Sequence, residues 1–286
     1  MTGIIIKGIG GFYYVEADNA VYECKARGIF RKKRITPAIG DRVEIEVKNG
    51  KGSIVEIGER KTQLIRPAVA NVDALMLVIA AASPDPNLYL ADKMLVNAEV
   101  NGIRPMICIN KTDLADGEML RRIYESAGYR VVCVSAEKED VRAALLPLLE
   151  GRTTAFAGLS GVGKSTILSQ LIDSELETGE ISEKIQRGRH TTRHVELFRL
   201  ASGGFVLDTP GFSSLEITDI TDMDESALAD CFPEMAAEQG CRFRGCSHIN
   251  EPDCMVKRKL EEGLIAPSRY ESYKEIYEIL KNVKKY

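Results

Sequence analysis

The run Gly158, Leu159, Ser160, Gly161, Val162, Gly163, Lys164, Ser165, Thr166 constrains the fold of this 286-residue chain more than any other segment. Its first eight residues fit G-x-x-x-x-G-K-[ST], a pattern that requires a strand before it and a helix after it. The glycines let backbone N–H groups turn inward around a phosphate, and the following helix points its positive end at the same place. Lys164 offers a point charge to the β- and γ-phosphates and is one of two candidate catalytic groups. Ser165 offers a hydroxyl to Mg²⁺. The bland alternative is a glycine turn that only caps a helix. The flanking sequence favours the phosphate site, because Thr154–Ala157 reads as an apolar strand and Lys164 to about Ile172 as a helix.

From about residue 70 apolar strands alternate with helical stretches. Strands are expected at Ala74–Ala82, Pro105–Asn110, Val131–Ser135, Val195–Leu200 and Phe205–Asp208. Helices are expected near Leu88–Asn101, Gly117–Ala127 and Val141–Leu149. Such alternation gives a mainly parallel sheet with helices on both faces. Residues 173–194 lack apolar periodicity and read as a mobile, function-bearing loop. Ahead of this α/β region, residues 4–66 read as short strands separated by glycine and turn residues, among them Gly11–Glu16, Val21–Ala26, Asp41–Val47 and Gly52–Ile57. That spacing fits a five-stranded oligonucleotide-binding (OB-type) β-barrel. Past Ser214 the chain reads as helical, with a Cys/His-rich insert at 241–254 and a charged amphipathic helix at about Pro267–Lys285. The expected organisation is therefore a barrel domain over residues 1–68, a nucleotide-binding α/β domain over 69–219 and a metal-binding helical domain over 220–286.

The balance of 44% hydrophobic and 28% charged residues is that of a soluble globular protein. No apolar run approaches the ~20 residues of a membrane-spanning helix. The N-terminus lacks the pattern of an export signal, and the seven cysteines are odd in number, so a disulfide framework is not expected and a reducing cytoplasm is. Net charge is uneven: +5 over residues 1–68, −6 over 69–219 and −3 over 220–286. A basic first segment ahead of an acidic middle points to a polyanionic partner for the barrel, or more blandly to a solvated basic face. Arg31, Lys32, Lys33 and Arg34 are adjacent, costly to bury and suited to phosphate contact in RNA.

Asp208-Thr-Pro-Gly211 closes the strand Phe205–Asp208. Beside a phosphate loop, an Asp there holds Mg²⁺ and the Gly amide senses the γ-phosphate. Asn110-Lys111-Thr112-Asp113 follows another strand. A carboxylate only accepts hydrogen bonds, and guanine presents two adjacent donors where adenine presents no such pair. Asn110 can brace the loop and reach guanine N7, the Lys111 stem can cover the base, and Ser135-Ala136 can offer a backbone N–H to guanine O6. GTP and GDP are thus the expected ligands. In ordinary GTPases the phosphate loop comes first; here N-K-T-D and V-S-A precede it and D-T-P-G follows, so the chain is circularly permuted. Permutation is tolerated where termini meet at the surface. It also leads the γ-phosphate-sensing segment straight into the C-terminal domain.

Cys241-x₄-Cys246-x-His248-x₅-Cys254 supplies three thiolates and one imidazole, enough to close a tetrahedral structural Zn²⁺ site. Cys24, Cys108 and Cys133 lie in strand patterns and Cys231 lacks a close ligand partner, so all four are expected in the core.

With N-K-T-D, V-S-A, G-L-S-G-V-G-K-S-T, G-R-H-T-T and D-T-P-G in this order, essentially the whole chain resembles the ribosome small-subunit-dependent GTPase A family, RsgA or YjeQ/YloQ. The resemblance implies late maturation of the 30S subunit, contact with its 16S rRNA, and GTP hydrolysis stimulated by that subunit. It also implies a zinc site of this spacing. Within Gly188-Arg-His-Thr-Thr192, a threonine can ligate Mg²⁺ while the γ-phosphate is present, and the sequence leaves Thr191 and Thr192 both open. Phe212 stands where many GTPases carry a water-orienting Gln, so slow intrinsic turnover is expected. His190 is the candidate to hydrogen-bond the attacking water, and the resemblance points to the same residue; its alternative is to shape the loop or touch RNA. His194 reads as structural or RNA-facing. The chain is expected to be a monomer that does not engage membranes. A metabolic kinase would need a second substrate pocket that the sequence does not display. A module using nucleotide only as a structural ligand would not need the set Lys164, Ser165, Thr191/Thr192 and Asp208.

Overall fold

The structure, a computed structural model, describes residues 1–48, 50–65, 67–172, 195–209, 212, 223–236 and 240–282. The chain divides into two compact units. The first comprises Met1–Ala74, Arg142–Phe156 and Ser165–Phe212, the second Leu75–Val141, Ala157–Lys164 and Ser213–Tyr286.

The first unit opens with β1 (Thr2–Ile9), β2 (Phe12–Ala17), β3 (Ala20–Ala26), β4 (Arg42–Lys48) and β5 (Lys51–Ile57). They close a barrel in the order β1-β2-β3-β5-β4, with β4 returning antiparallel to β1 and β3 parallel to β5. Alternation of the sequence sets which residues face inward: Val43 and Ile45 on β4 are buried while Arg42, Glu44 and Glu46 are exposed. Ile5, Val15, Cys24, Val43, Ile45 and Ile54 fill the barrel. Gly52 permits a close strand approach, since a Cβ there would overlap Cys24 Sγ. The basic run departs from a plain interstrand loop. Arg31 and Lys32 lie on α1 (Gly28–Lys32), a single turn between β3 and β4 that drives Phe30 into the barrel core. Burial of that one ring is worth roughly 1.5–3 kcal/mol, and it fixes Arg31, Lys32, Lys33 and Arg34 on the outside, where all four are exposed.

A short ladder joins β6 (Gln63–Leu64) to β7 (Val69–Ala70). Six further strands form one sheet: β8 (Ala74–Ala80), β9 (Arg104–Asn110), β10 (Arg130–Cys133), β11 (Thr153–Ala157), β12 (Phe198–Arg199) and β13 (Phe205–Asp208), in the order β10-β9-β8-β11-β13-β12. Every residue of β8 is buried, as its unbroken apolar run demands of an inner strand. β9 runs parallel to β10 and β11 parallel to β13, while the edge strand β12 is antiparallel to β13. β12 is shorter than the expected Val195–Leu200 because Glu196 and Leu197 bond elsewhere. Lys7 and Glu196 form an antiparallel bridge, and Leu197 donates its N–H to Ile6 O of β1 at 2.9 Å.

Helices α2 (Leu88–Val100), α3 (Glu118–Ser126), α4 (Arg142–Leu149) and α5 (Lys164–Ile172) intervene between strands, as expected. The C-terminal part holds a 3₁₀ turn at Glu225–Cys231, then α6 (Met255–Glu261) and α7 (Pro267–Asn282). α7 is locked within the second unit by Arg269, only 1% exposed, which pairs with Asp92 of α2 and with Glu234, both at 2.7 Å. Phe232, Tyr129 and Tyr124 surround its guanidinium, with ring centroids 4.5, 5.4 and 5.9 Å away. Two carboxylates, each oriented by hydrogen bonds, are what make a buried guanidinium tolerable. Cys24, Cys108 and Cys231 are buried as expected, but Cys133 is exposed, because it ends the edge strand β10.

Candidate functional site

The phosphate loop runs from the end of β11 into α5. Gly158, Gly161 and Gly163 have φ of 144°, 81° and 97°, a backbone region that side chains disfavour. Two of them are also pressed for space: a Cβ on Gly158 would overlap Val78 O, and one on Gly163 would overlap Asn110 Nδ2. Val162 turns inward and is buried, while Ser160 and Gly161 are exposed. Lys164 Nζ donates to Gly158 O at 2.8 Å and Leu159 O at 3.1 Å, so its ammonium rests on the carbonyls of its own loop. Ser165 is exposed and Thr166 half-buried in the first turn of α5.

Asn110, the last residue of β9, ties three motifs together. Its Nδ2 donates to Val162 O of the phosphate loop at 2.9 Å, and its Oδ1 accepts from Ala136 N at 3.0 Å. Asn110 is buried, so both bonds are made away from water, where leaving either group unmade is expensive. The expected bracing role of Asn110 is thus present. Of the Ser135-Ala136 backbone N–H groups expected to offer one to guanine O6, Ala136's is already donated to Asn110 and Ser135's to Glu139, so a base there would share an amide or take it over. Lys111 takes a left-handed φ of 64°, and its Nζ donates to Ser83 O. Thr112 donates its N–H to Val134 O at 3.2 Å. The exposed Asp113 has one carboxylate oxygen fixed by Ser135 Oγ, which orients it at the loop surface. Ser135 N in turn donates to Glu139 Oε1 at 2.7 Å, a brace that no motif announced.

Asp208 ends β13. Thr209 behind it is buried and bonds Phe156 O through both its N–H (3.1 Å) and its hydroxyl (2.7 Å), fixing where the chain leaves the sheet. Phe212 is buried, as suits a ring that cannot orient water. Gly211, His190, Thr191, Thr192 and His194 lie outside the described residues.

In the C-terminal part, Cys241, Cys246, His248 and Cys254 present ligand atoms that all lie within 4.8 Å of one another. Cys241 Sγ stands 4.0 Å from Cys254 Sγ and 3.7 Å from His248 Nδ1, and His248 Nδ1 stands 3.3 Å from Cys254 Sγ. Four ligands at Zn–S of about 2.3 Å on a tetrahedron would stand about 3.8 Å apart, so the donor set and its spacing fit a zinc ion. Burial, joined by the neighbouring Cys254 and Cys241 sulfurs, pushes the Cys246 thiol up to about 12; a bound dication reverses that balance.

Residues the sequence did not single out shape this cage. Glu251 accepts from Ser247 N and Oγ (2.8 and 2.7 Å), Ile249 N and Asn250 N. Burial works to raise this carboxyl, but those hydrogen bonds hold it at about 2. Tyr270 and Tyr273 on α7 donate to His248 O and Ser247 O, both at 2.7 Å. The only available signal was the Tyr-x₂-Tyr spacing on one face of the last helix. Among the described residues, no helix is long and apolar enough to cross a membrane.

Residues 57–218 match the RsgA GTPase family, and residues 2–55 match the RsgA N-terminal domain. The chain is 47% identical to the small ribosomal subunit biogenesis GTPase RsgA of Agathobacter rectalis, with all of both chains covered. It is 50% identical to the protein of that name from Alkaliphilus metalliredigens, with 98% of each covered. Among solved structures it resembles YloQ, described as a circularly permuted GTPase, with a TM-score of 0.82 at 40% identity over 100% of this chain and 96% of that one. It also resembles YjeQ from Thermotoga maritima, with a TM-score of 0.83 at 36% identity over 99% of each.

Proposed function

This chain belongs to the RsgA family of circularly permuted P-loop GTPases, and from that premise we propose that it binds the small ribosomal subunit through its 16S rRNA, assists late maturation of that subunit, and hydrolyses GTP to GDP and phosphate faster when bound to it. The observation that carries the proposal is Asn110, whose side chain bonds the phosphate loop on one side and the Ser135-Ala136 loop on the other. Motifs far apart in the chain thereby converge where one nucleotide can touch them all.

In this reading Asp113 accepts from guanine N1–H and the 2-amino group, while Asn110, Lys111, Thr112, Ser135 and Ala136 frame the base. Lys164 exchanges the carbonyls of Gly158 and Leu159 for phosphate oxygens, a stronger charge-assisted pairing. Ser165, Asp208 and one of Thr191 and Thr192 would hold Mg²⁺, which when bound would supply charge neutralisation beside the phosphates. His190 orients the attacking water, and Gly211 senses the γ-phosphate. Cys241, Cys246, His248 and Cys254 hold one structural zinc ion. Arg31, Lys32, Lys33 and Arg34 bind rRNA phosphates, with Phe30 as their anchor in the barrel. The working domains are residues 1–68, 69–219 and 220–286.

Turnover of GTP and of ATP, each with and without purified small subunits, tests the proposal. The expected result is hydrolysis of GTP alone, raised strongly by the subunit. Equal use of ATP would remove the base-site assignment, and an unstimulated rate would remove the ribosomal role.

A further inference from the structure

The segment that follows the expected switch threonines is fastened to the barrel. Lys7 Nζ on β1 pairs with Glu196 Oε2 at 2.8 Å, and the backbones of the two residues form an antiparallel bridge. Leu197 N donates to Ile6 O at 2.9 Å. Arg199 pairs with Glu16 of β2 while its guanidinium lies 4.8 Å from the Phe205 ring centroid. In these pairs the Lys7, Glu196 and Glu16 side chains are 25%, 31% and 13% exposed, and that of Arg199 is 53% exposed. They join residues 189 and 183 positions apart, and so cost the chain a long closure that local structure does not explain.

Chain geometry connects this fastening to the reaction. Glu196 is four residues beyond Thr192 and six beyond His190. An extended residue spans at most about 3.6 Å. The four residues from Thr192 to Glu196 can therefore span at most about 14 Å. A rigid-body shift of the barrel is carried into Glu196 by the main-chain bridge and the ion pair together, with no need for a separate wire.

We infer that Lys7, Glu16, Glu196 and Arg199 are positioning residues by which the barrel, once it grips the RNA-bearing particle, raises the rate of GTP hydrolysis. The inference rests on the proposed small-subunit stimulation and names the contacts that transmit it. None of the four belongs to the nucleotide-site motifs. Their action is on the placement of the chain that leads into β12.

The test measures GTP turnover with saturating small subunits and without them, for the wild-type chain, Lys7→Glu, Glu196→Lys and the double charge swap. Each single variant is expected to lower the stimulated kcat about threefold to fivefold, the scale of one partly exposed ion pair. Basal turnover, KM for GTP and affinity for the subunit should be unchanged, and the double swap should restore the stimulated rate. Should Lys7→Glu melt early, Lys7→Met and Glu196→Gln remove the pair without adding repulsion, and the same kcat loss is expected. Wild-type turnover that ignores the subunit would defeat the proposed function itself. Stimulation equal in the wild type and in the single variants would overturn this inference alone. So would a loss that the swap fails to repair, since Lys7 would then act by touching RNA.

Discussion

The candidate metal cage takes its four ligand atoms from the stretch Cys241–Cys254, whereas the proposed nucleotide site draws on Asn110, Asp113, Ser135, Ala136 and the loop at Gly158–Ser165. The cage is locally encoded, and burial pushes the Cys246 thiol up to about 12, which keeps it in the neutral form that must give up its proton to a metal. The nucleotide site is encoded at long range, yet it closes on itself, with Asn110 bonding both flanking loops and Lys164 resting on Gly158 O and Leu159 O. A site whose donors and acceptors already satisfy one another stands without its ligand. A site made of metal-ligand atoms drawn from one short loop depends on its ion.

The largest effect should therefore come from the cage. Cys254→Ser, or removal of metal by a chelator, is expected to abolish binding of one zinc per chain, measured by elemental analysis, and to melt the 241–254 insert while α7 stays held by Arg269, since structural zinc contributes roughly 10–16 kcal/mol to small folds. GTP binding should survive; if it fell in parallel, the contrast between the two sites would be broken. Next comes Asp113→Asn, which presents a donor to guanine's donors. Calorimetry should show GTP affinity reduced on the order of 10³-fold or more, with xanthosine triphosphate now preferred. Asn110→Ala should be milder, because it deprives the Val162 carbonyl and the Ala136 amide of one shared partner. A loss of roughly 2–4 kcal/mol in denaturant melts is expected, with faster amide exchange in the phosphate loop.

Glu251→Gln should give the smallest change and sharpens the comparison through pH. The folded carboxyl is held at about 2, below its ordinary value of 4.5, so its contribution is complete above about pH 4.5 and disappears as the pH falls toward about 2. The stability gap between wild type and variant, followed by denaturant melts across pH, should close over that window. A gap constant across it would mean that Glu251 braces Ser247 by shape and not by charge.

The same division governs what could be read from sequence. The barrel strands, the alternating α/β region and the cage ligands all have local or periodic signals, and each is found close to its expected place. The basic run was legible as exposed, but not its one helical turn, because Phe30 reveals its inward role only against the barrel core that receives it. Cys133 misled because a strand pattern does not say which strand lies at the sheet edge. Asn110 was legible as a brace, whereas its hold on the Ala136 amide was not, since that bond depends on two loops meeting. The Arg269–Asp92 pair spans 177 positions and leaves no trace in composition or spacing.

That pair has a practical consequence for anyone dissecting the protein. A chain cut short at residue 222 would retain Asn110, Asp113 and the whole phosphate loop, yet it would take Arg269, Phe232 and the last helix off Asp92 and the face of α2 that they cover. Apolar surface now buried there would be opened to water, and a few such side chains amount to a large share of an ordinary domain's stability. The hydrolytic part is therefore not a detachable module, and minimal versions of this enzyme must keep the last helix.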